Sequence, residues 1–306
     1  MSKPRRIRRA VNGVLLLDKP LGVSSNGALQ KVRWLYNAAK AGHTGVLDPL
    51  ATGLLPVCFG EATKFSSFLL DADKGYRATV KFGVVTTTGD AEGEVVKERP
   101  VDVTIETLAE ACARFKGMIS QVPPMYSALK FEGKALYEYA RAGIEIERKA
   151  RDVTIHSIEI VEFAGDVAVI DVACSKGTYI RTLAEEIGET LGCGAHLIGL
   201  RRTATAGFPL EAAMTLEAIE ALSAEGRDAL LMPADVLVAH FPEVSLDEDA
   251  AGRFLHGQAV RVAQNHAIMS RFRVYREATR EFMGLAEWKA DGLLHPTRLL
   301  AVSTAA

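Results

Sequence analysis

Between residues 13 and 208, apolar positions recur at two different periods. From Asn26 to Tyr36 they fall at Leu29, Val32 and Leu35, the spacing of one helix face. From Tyr76 to Val84 they alternate with polar residues, as a half-buried strand requires. Two further strands, Val153–Phe163 and Val167–Cys174, are joined across Gly165-Asp166. Thr178–Leu191 places Ile180, Leu183, Ala184, Ile187 and Leu191 on one helical face and stops at Gly192. Another strand spans Leu197–Thr205. The elements do not follow a regular β-α-β-α order, and two neighbouring strands share a tight connection. The pattern therefore predicts an α+β fold, a mixed sheet with flanking helices, rather than a doubly wound parallel one.

Two stretches interrupt this body. Gln121–Asp152 opens with Pro123-Pro124 and is rich in Lys, Arg and Glu, so it reads as a polar insertion with a short helix near Lys134–Ala142. It is either an ordinary surface excursion or a flap over a large substrate. Pro209–Ala250 is acidic and helical in part, broken at Met232-Pro233 and Phe241-Pro242. Beyond a boundary near 250, four short strands are expected: Val260–Ala263, Phe272–Arg276, Phe282–Trp288 and Leu293–Leu300, the last two joined across Asp291-Gly292. The expected organisation is a basic tail (1–12), a main domain (13–250) and a small β module (251–306).

Composition changes this picture little. A chain of 306 residues, 48% hydrophobic and 24% charged, suits one sizeable domain with a smaller companion. The apolar run Val14–Leu17 is too short for a signal-peptide core or a membrane span, so a cytoplasmic location is expected. Cys58, Cys112, Cys174 and Cys193 lie far apart, which indicates neither a disulfide framework nor a cysteine-rich zinc site.

Charge adds more. The net of −2 hides an uneven distribution: Pro209–Ala250 holds ten acids and one base, whereas Arg253–Arg280 holds six arginines and one acid, Glu277. With Lys3, Arg5, Arg6, Arg8 and Arg9, that basic segment is either a phosphate-contacting surface or a set of solvated charges.

The most unusual stretch is Gly42–Pro56, GHTGVLDPLATGLLP, with three glycines and two prolines around one aspartate. Pro49 disfavours helical backbone at Asp48, so its carboxylate belongs on a defined loop. Two readings fit the pattern: a presented reactive group, or an Asp-Pro turn whose carboxylate caps nearby amides. Ser127–Lys130 matches Ser-x-x-Lys, but neither Ser-Asp-Asn nor Lys-Thr-Gly follows. Walker, His-Glu-x-x-His and zinc-deaminase motifs are missing from the sequence, and Gly192-Cys193-Gly194 lacks the third glycine of a dinucleotide fingerprint. No motif demands a metal or a cofactor.

Six ordered runs carry a resemblance. They are GVLLLDKPLGVSSN (13–26), AGHTGVLDPLATGLLPVCFGEATKF (41–65), DKGYRATVKFG (73–83), QVPPMYSALK (121–130), CSKGTYIRTLAEEIG (174–188) and GAHLIGLRRT (194–203). Together they closely resemble the TruB family of bacterial tRNA pseudouridine synthases. The C-terminal module resembles that family's PUA-like domain in size, position and basic character.

The resemblance implies isomerisation of uridine 55 in the T loop of tRNA, by base flipping, cleavage of the N1–C1′ bond and C5–C1′ reattachment, with no cofactor. It implies Asp48 as the catalytic aspartate and Arg181 as its ion-pair partner, holding it ionised. Tyr76 and Tyr179 are implied to line the uracil pocket, with Tyr76 assisting loss of the C5 proton. Leu200 is implied as an apolar wall, His43 as a stacking residue on the RNA, and Lys19-Pro20 as support for the site. In isolation the tyrosines and Leu200 read equally as core residues, His43 as a turn residue and Arg181 as a surface arginine. A monomer that binds the T arm is expected. Two alternatives remain: an RNA-binding protein with a vestigial loop, and an N-glycoside hydrolase.

Overall fold

The computed structural model describes residues 7–262 and 270–301. In the main body the strands are β1 (Gly13–Lys19), β2 (Ala41–His43), β3 (Ala51–Phe59), β4 (Lys74–Phe82), β5 (Gly117–Gln121), β6 (Arg151–Ala164), β7 (Val167–Cys174), β8 (Ala195–Thr205) and β9 (Met214–Thr215). They join one mixed ten-stranded sheet in the order β9-β1-β3-β8-β4-β7-β6-β5, with β2 added on β3 and Phe208–Pro209 on β8. β3 and β8 run parallel, whereas β8, β4, β7, β6 and β5 are successively antiparallel. The expected mixed α+β body is what forms.

Burial explains the sequence pattern strand by strand. β7 alternates buried and half-buried residues, the signature of one covered face. β1 and β3 are buried at nearly every position because both their faces are covered. On one side, Leu15, Leu17, Leu55 and Val57 join a core completed by helices α1 (Ser25–Leu35), α2 (Ile105–Arg114) and α4 (Ile180–Thr190). On the other, Val14 and Cys58 meet Phe65, Leu69, Val238 and Leu285.

The polar insertion leaves and returns at paired strands, since Gln121 on β5 stands opposite Arg151 on β6. It carries a two-residue hairpin at Lys130–Phe131 and Lys134–Ala135, then helix α3 (Leu136–Arg141).

The small module is a four-stranded sheet ordered β10 (Glu243–Leu246), β11 (Arg271–Arg276), β12 (Phe282–Trp288) and β13 (Leu294–Leu299). Helix α5 (Glu248–Leu255) packs Ala250, Ala251 and Phe254 against Val274, Trp288 and Leu294. The expected boundary at 250 therefore falls inside α5, and β10 already pairs with β11. The acidic composition around them masked a four-residue strand whose Leu246 faces this core. Val260 forms a single bridge to Leu294 where a strand was expected, and Ala263 lies outside the described residues.

The charge segregation read along the chain is largely cancelled in space. Arg273 and Arg280 face Glu243, and Arg276 faces Glu248 and Glu281. With Glu287 beside Arg271, acids thus pair with four of the six arginines. Arg9 pairs with Asp228 at 2.5 Å, while Lys3, Arg5 and Arg6 lie outside the described residues. Among the described residues no helix is long and apolar enough to cross a membrane.

Candidate active site

The Asp48 loop connects antiparallel β2 and β3. It is pinned at its neighbour Leu47, whose N–H donates to buried Ser25 Oγ at 2.7 Å while Ser25 Oγ donates to the Leu47 carbonyl at 2.9 Å. The Asp48 carbonyl accepts from Ala51 N–H, and the Pro49 carbonyl accepts from Gly22 N–H. The loop is therefore fixed by its backbone, and the carboxylate is left available for chemistry rather than consumed as a turn cap.

Arg181 lies on the first turn of α4, next to Tyr179 at the helix start. Buried Gln121 clamps that start, accepting from Tyr179 N–H at 3.0 Å and donating to its carbonyl at 3.2 Å. The Arg181 side chain, 8% exposed, is spread over four partners. Nη2 reaches Asp48 at 3.0 Å and the Tyr126 carbonyl at 2.7 Å; Nη1 reaches Asp90 at 3.3 Å and the Thr88 carbonyl at 2.9 Å. Asp90 is itself held by the Thr88 hydroxyl and the Glu92 N–H. A planar fork suits such a set, which a lysine cannot reproduce.

Two cavities flank Asp48. One, of about 560 Å³, is lined by Asp48, Arg181, Tyr76, Tyr179 and Leu200, together with Ser127 and Arg202. The other, of about 490 Å³, shares Asp48, Ser127 and Arg181 and adds His43, Asp90, Glu92, Tyr137 and Arg141. The structure so gathers Asp48, Arg181, Tyr76, Tyr179 and Leu200 around one space and sets His43 beside the adjoining one. Buried Lys19 underlies them, donating to the Pro20 and Val23 carbonyls.

The Asp48 side chain is 43% exposed and lines both cavities. Burial pushes its carboxyl above the ordinary carboxylate range; Arg181 pulls it down, Asp90 pushes it up again and Lys19 pulls it down. The simple picture of an arginine holding it ionised is thus incomplete. Arg181 limits a rise that burial dominates, because it shares its charge with a second carboxylate. Burial also raises the Tyr76 and Tyr179 hydroxyls, and burial with the nearby Arg202 charge lowers His43, favouring its neutral form.

Sequence reasoning passed over Asp90, Ser127 and Arg202. Ser127 was reached only as a chance Ser-x-x-Lys match, and Arg202 sits two residues beyond Leu200 in a run already singled out. Asp90 follows Thr86-Thr87-Thr88-Gly89, an ordinary turn sequence that carries no signal for its later contact. Among the described residues no three His, Cys, Asp or Glu side chains gather closely enough to hold a metal ion.

A carboxylate beside a guanidinium, facing a mostly apolar cavity with two tyrosines, is equipped to act at a sugar carbon as positive charge develops there. Comparison with known proteins bears on that chemistry. Residues 33–180 match the N-terminal domain of TruB family pseudouridylate synthases. Residues 181–239 match the tRNA pseudouridylate synthase B C-terminal domain, and 242–300 match the pseudouridine synthase II TruB C-terminal region.

The tRNA pseudouridine synthase B of Chromobacterium violaceum is 67% identical over 301 residues, covering 98% of each chain. That of Azoarcus sp. is 58% identical over 97% of each. Among solved structures, a Cbf5-Nop10-Gar1 complex contains a chain with a TM-score of 0.71 and 26% identity, covering 94% of this chain and 84% of that one. These matches run from the main sheet through the small β module, which fits a PUA-like fold, and so the chain belongs to the TruB family of pseudouridine synthases.

Proposed function

We propose that this chain converts uridine 55 in the T loop of tRNA to pseudouridine, with Asp48 acting on the sugar. The observation that carries the reading is the 3.0 Å Asp48–Arg181 pair on the wall of a cavity that Tyr76, Tyr179 and Leu200 also line. The tRNA substrate follows from the relatives, which are named tRNA pseudouridine synthase B over nearly their whole length.

The target base leaves its stack and enters between the tyrosines and Leu200, at an unstacking cost of a few kcal/mol. His43, Tyr137 and Arg141, in the adjoining cavity, meet the neighbouring nucleotides. Asp48 then acts at the ribose as the N1–C1′ bond breaks. The base turns within the cavity, C5 bonds to C1′, and the C5 proton leaves with help from Tyr76. One carboxylate suffices because the leaving group is kept and reused. The insertion lines both cavities through Ser127 and Ala128, which suits a flap gripping the T arm, and the small module meets the acceptor side of the RNA. We infer a monomer, and we place it in the cytoplasm.

The test is release of tritium from C5-labelled uridine in a T-arm transcript. Stoichiometric release with no free uracil is expected from the wild type and loss of release from Asp48→Asn. A transcript that is bound but never releases tritium would overturn the reading.

A further inference from the structure

Arg202, which lines the cavity of Asp48, has its Nη2 buried without a hydrogen-bond partner. Buried polar groups in native proteins are nearly always satisfied, so an unsatisfied one at a site calls for a functional explanation. Arg202 is a demanding case, because it carries a full charge and is 1% exposed. Its Nε donates to the Leu54 carbonyl at 2.7 Å, and among the described residues no carboxylate pairs with it. Burial pushes Lys19, Lys74 and His43 toward their neutral forms, and the Arg202 charge pushes each further the same way.

Arg202 stands directly opposite Tyr76 in the antiparallel pairing of β8 with β4, so both side chains leave the sheet on one face, and both line the cavity of Asp48. Its place is fixed from two sides. The backbone of Gly53 on β3 approaches so closely that a Cβ there would lie 2.4 Å from the Arg202 carbonyl oxygen. Above it, a Cβ on Gly45 of the Asp48 loop would lie 3.4 Å from Nη1. Because Nη2 is sealed from solvent, that end of the guanidinium acts by its charge, through Tyr76, rather than by touching the base.

We propose that Arg202 is a positioning residue for Tyr76: a buried positive charge that stabilises the phenolate through which the C5 proton leaves. This deepens, and rests on, the reading of Tyr76 as the group that assists loss of that proton. Tyr76 first loses its own proton to water. Once C5 is bonded to C1′, the C5–H bond breaks and the proton passes to the Tyr76 oxygen. The freed electron pair forms the C5–C6 double bond, the C6–N1 pair returns to N1, and N1 takes a proton from solvent. The groups facing Tyr76 are Arg202 on β8, Cys174 on β7 and Asp48 on its loop, and of these only Arg202 favours the phenolate against burial.

The test measures C5 tritium release under single turnover, with the T-arm stem-loop saturating. Arg202→Met is expected to slow release by at least 10-fold at unchanged RNA binding, and to add little to the defect of Tyr76→Phe. Replacing Tyr76 by 3-fluorotyrosine, a more acidic phenol, is expected to restore part of the rate lost in Arg202→Met. Multiplied defects in the double variant, or no restoration by the fluorinated residue, would overturn the proposal. Undiminished release by Tyr76→Phe would instead overturn the underlying reading of Tyr76. Should Arg202→Met fail to fold, Arg202→Lys serves with ¹⁹F detection of fluorotyrosine 76. The shorter ammonium is expected to move that titration to higher pH, and an unmoved titration counts against the proposal.

Discussion

The guanidinium of Arg181 stands 3.3 Å from the carboxylate of Asp90, using the nitrogen that Asp48 does not. Asp90 is 3% exposed and Asp48 43% exposed, so one cation serves a sealed carboxylate and an open one. The three charges sum to −1, which leaves Asp48 only partly compensated.

A pH shift follows from Asp90→Asn. In the proposed reaction Asp48 acts in its ionised form, so activity falls as pH drops through its raised pKa, and Asp90 contributes to that rise. Removing the Asp90 charge should move the acid limb of the single-turnover rate to lower pH. The plateau rate should fall on the order of 10- to 100-fold, because Arg181 loses a tether and misplacement at a reacting group is costly. An acid limb that stays put or moves upward would refute the assigned direction.

Arg181→Met removes the charge that most lowers Asp48. The acid limb should move upward and the plateau fall by at least about 100-fold, the scale of losing one preorganised electrostatic contact. Arg181→Lys should recover little, since one ammonium cannot span Asp48, Asp90 and the Thr88 and Tyr126 carbonyls. Filter binding should show RNA affinity within a few-fold of wild type for both. A lysine variant with near-native turnover would contradict this account.

Gly53→Ala should cost about 1–3 kcal/mol of stability in denaturant melts. Gly53 has a φ of +97°, and an added Cβ would meet backbone of Arg202 on the adjacent strand. Gly22→Ala is the control: φ is +76° with nothing within 4 Å, so only the conformational cost of about 1 kcal/mol applies. Equal losses at the two positions would show that the close approach of β3 to β8 is unimportant.

Leu285→Ala should destabilise the whole chain by about 2–5 kcal/mol, the usual range for a buried leucine. Leu285 is on β12 of the small module but packs in a cluster with Val14, Cys58, Phe65 and Leu69 of the main body. Melting should remain a single transition. A separate early transition of the small module would show that the two cores are not coupled.

Much of this molecule was legible in its sequence because the deciding physics is local. Helix and strand periods placed Asn26–Tyr36, Val153–Phe163, Val167–Cys174 and Thr178–Leu191 close to the observed elements, since one-sided burial imposes those periods directly. The composition of the 42–56 loop singled out Asp48. The ordered motifs supplied Arg181, Tyr76, Tyr179 and Leu200, which the structure gathers around one cavity although they span more than 120 positions.

Tertiary structure decided what depends on through-space neighbours. Local charge made Arg253–Arg280 basic, yet Glu243, Glu248 and Glu281 sit beside three of its arginines. The strand at Glu243–Leu246 is defined by a parallel partner thirty residues on, which no local pattern announces. The state of Asp48 is likewise a property of surroundings: an arginine from α4, an aspartate from the turn after the strand Val84–Thr86 and the depth of the cavity act on it together. Side-chain period and turn chemistry are written residue by residue, so the sequence alone determined the elements and singled out the Asp48 loop. Coulombic and desolvation energies depend on distances across the fold, so only the folded chain determined which charges act.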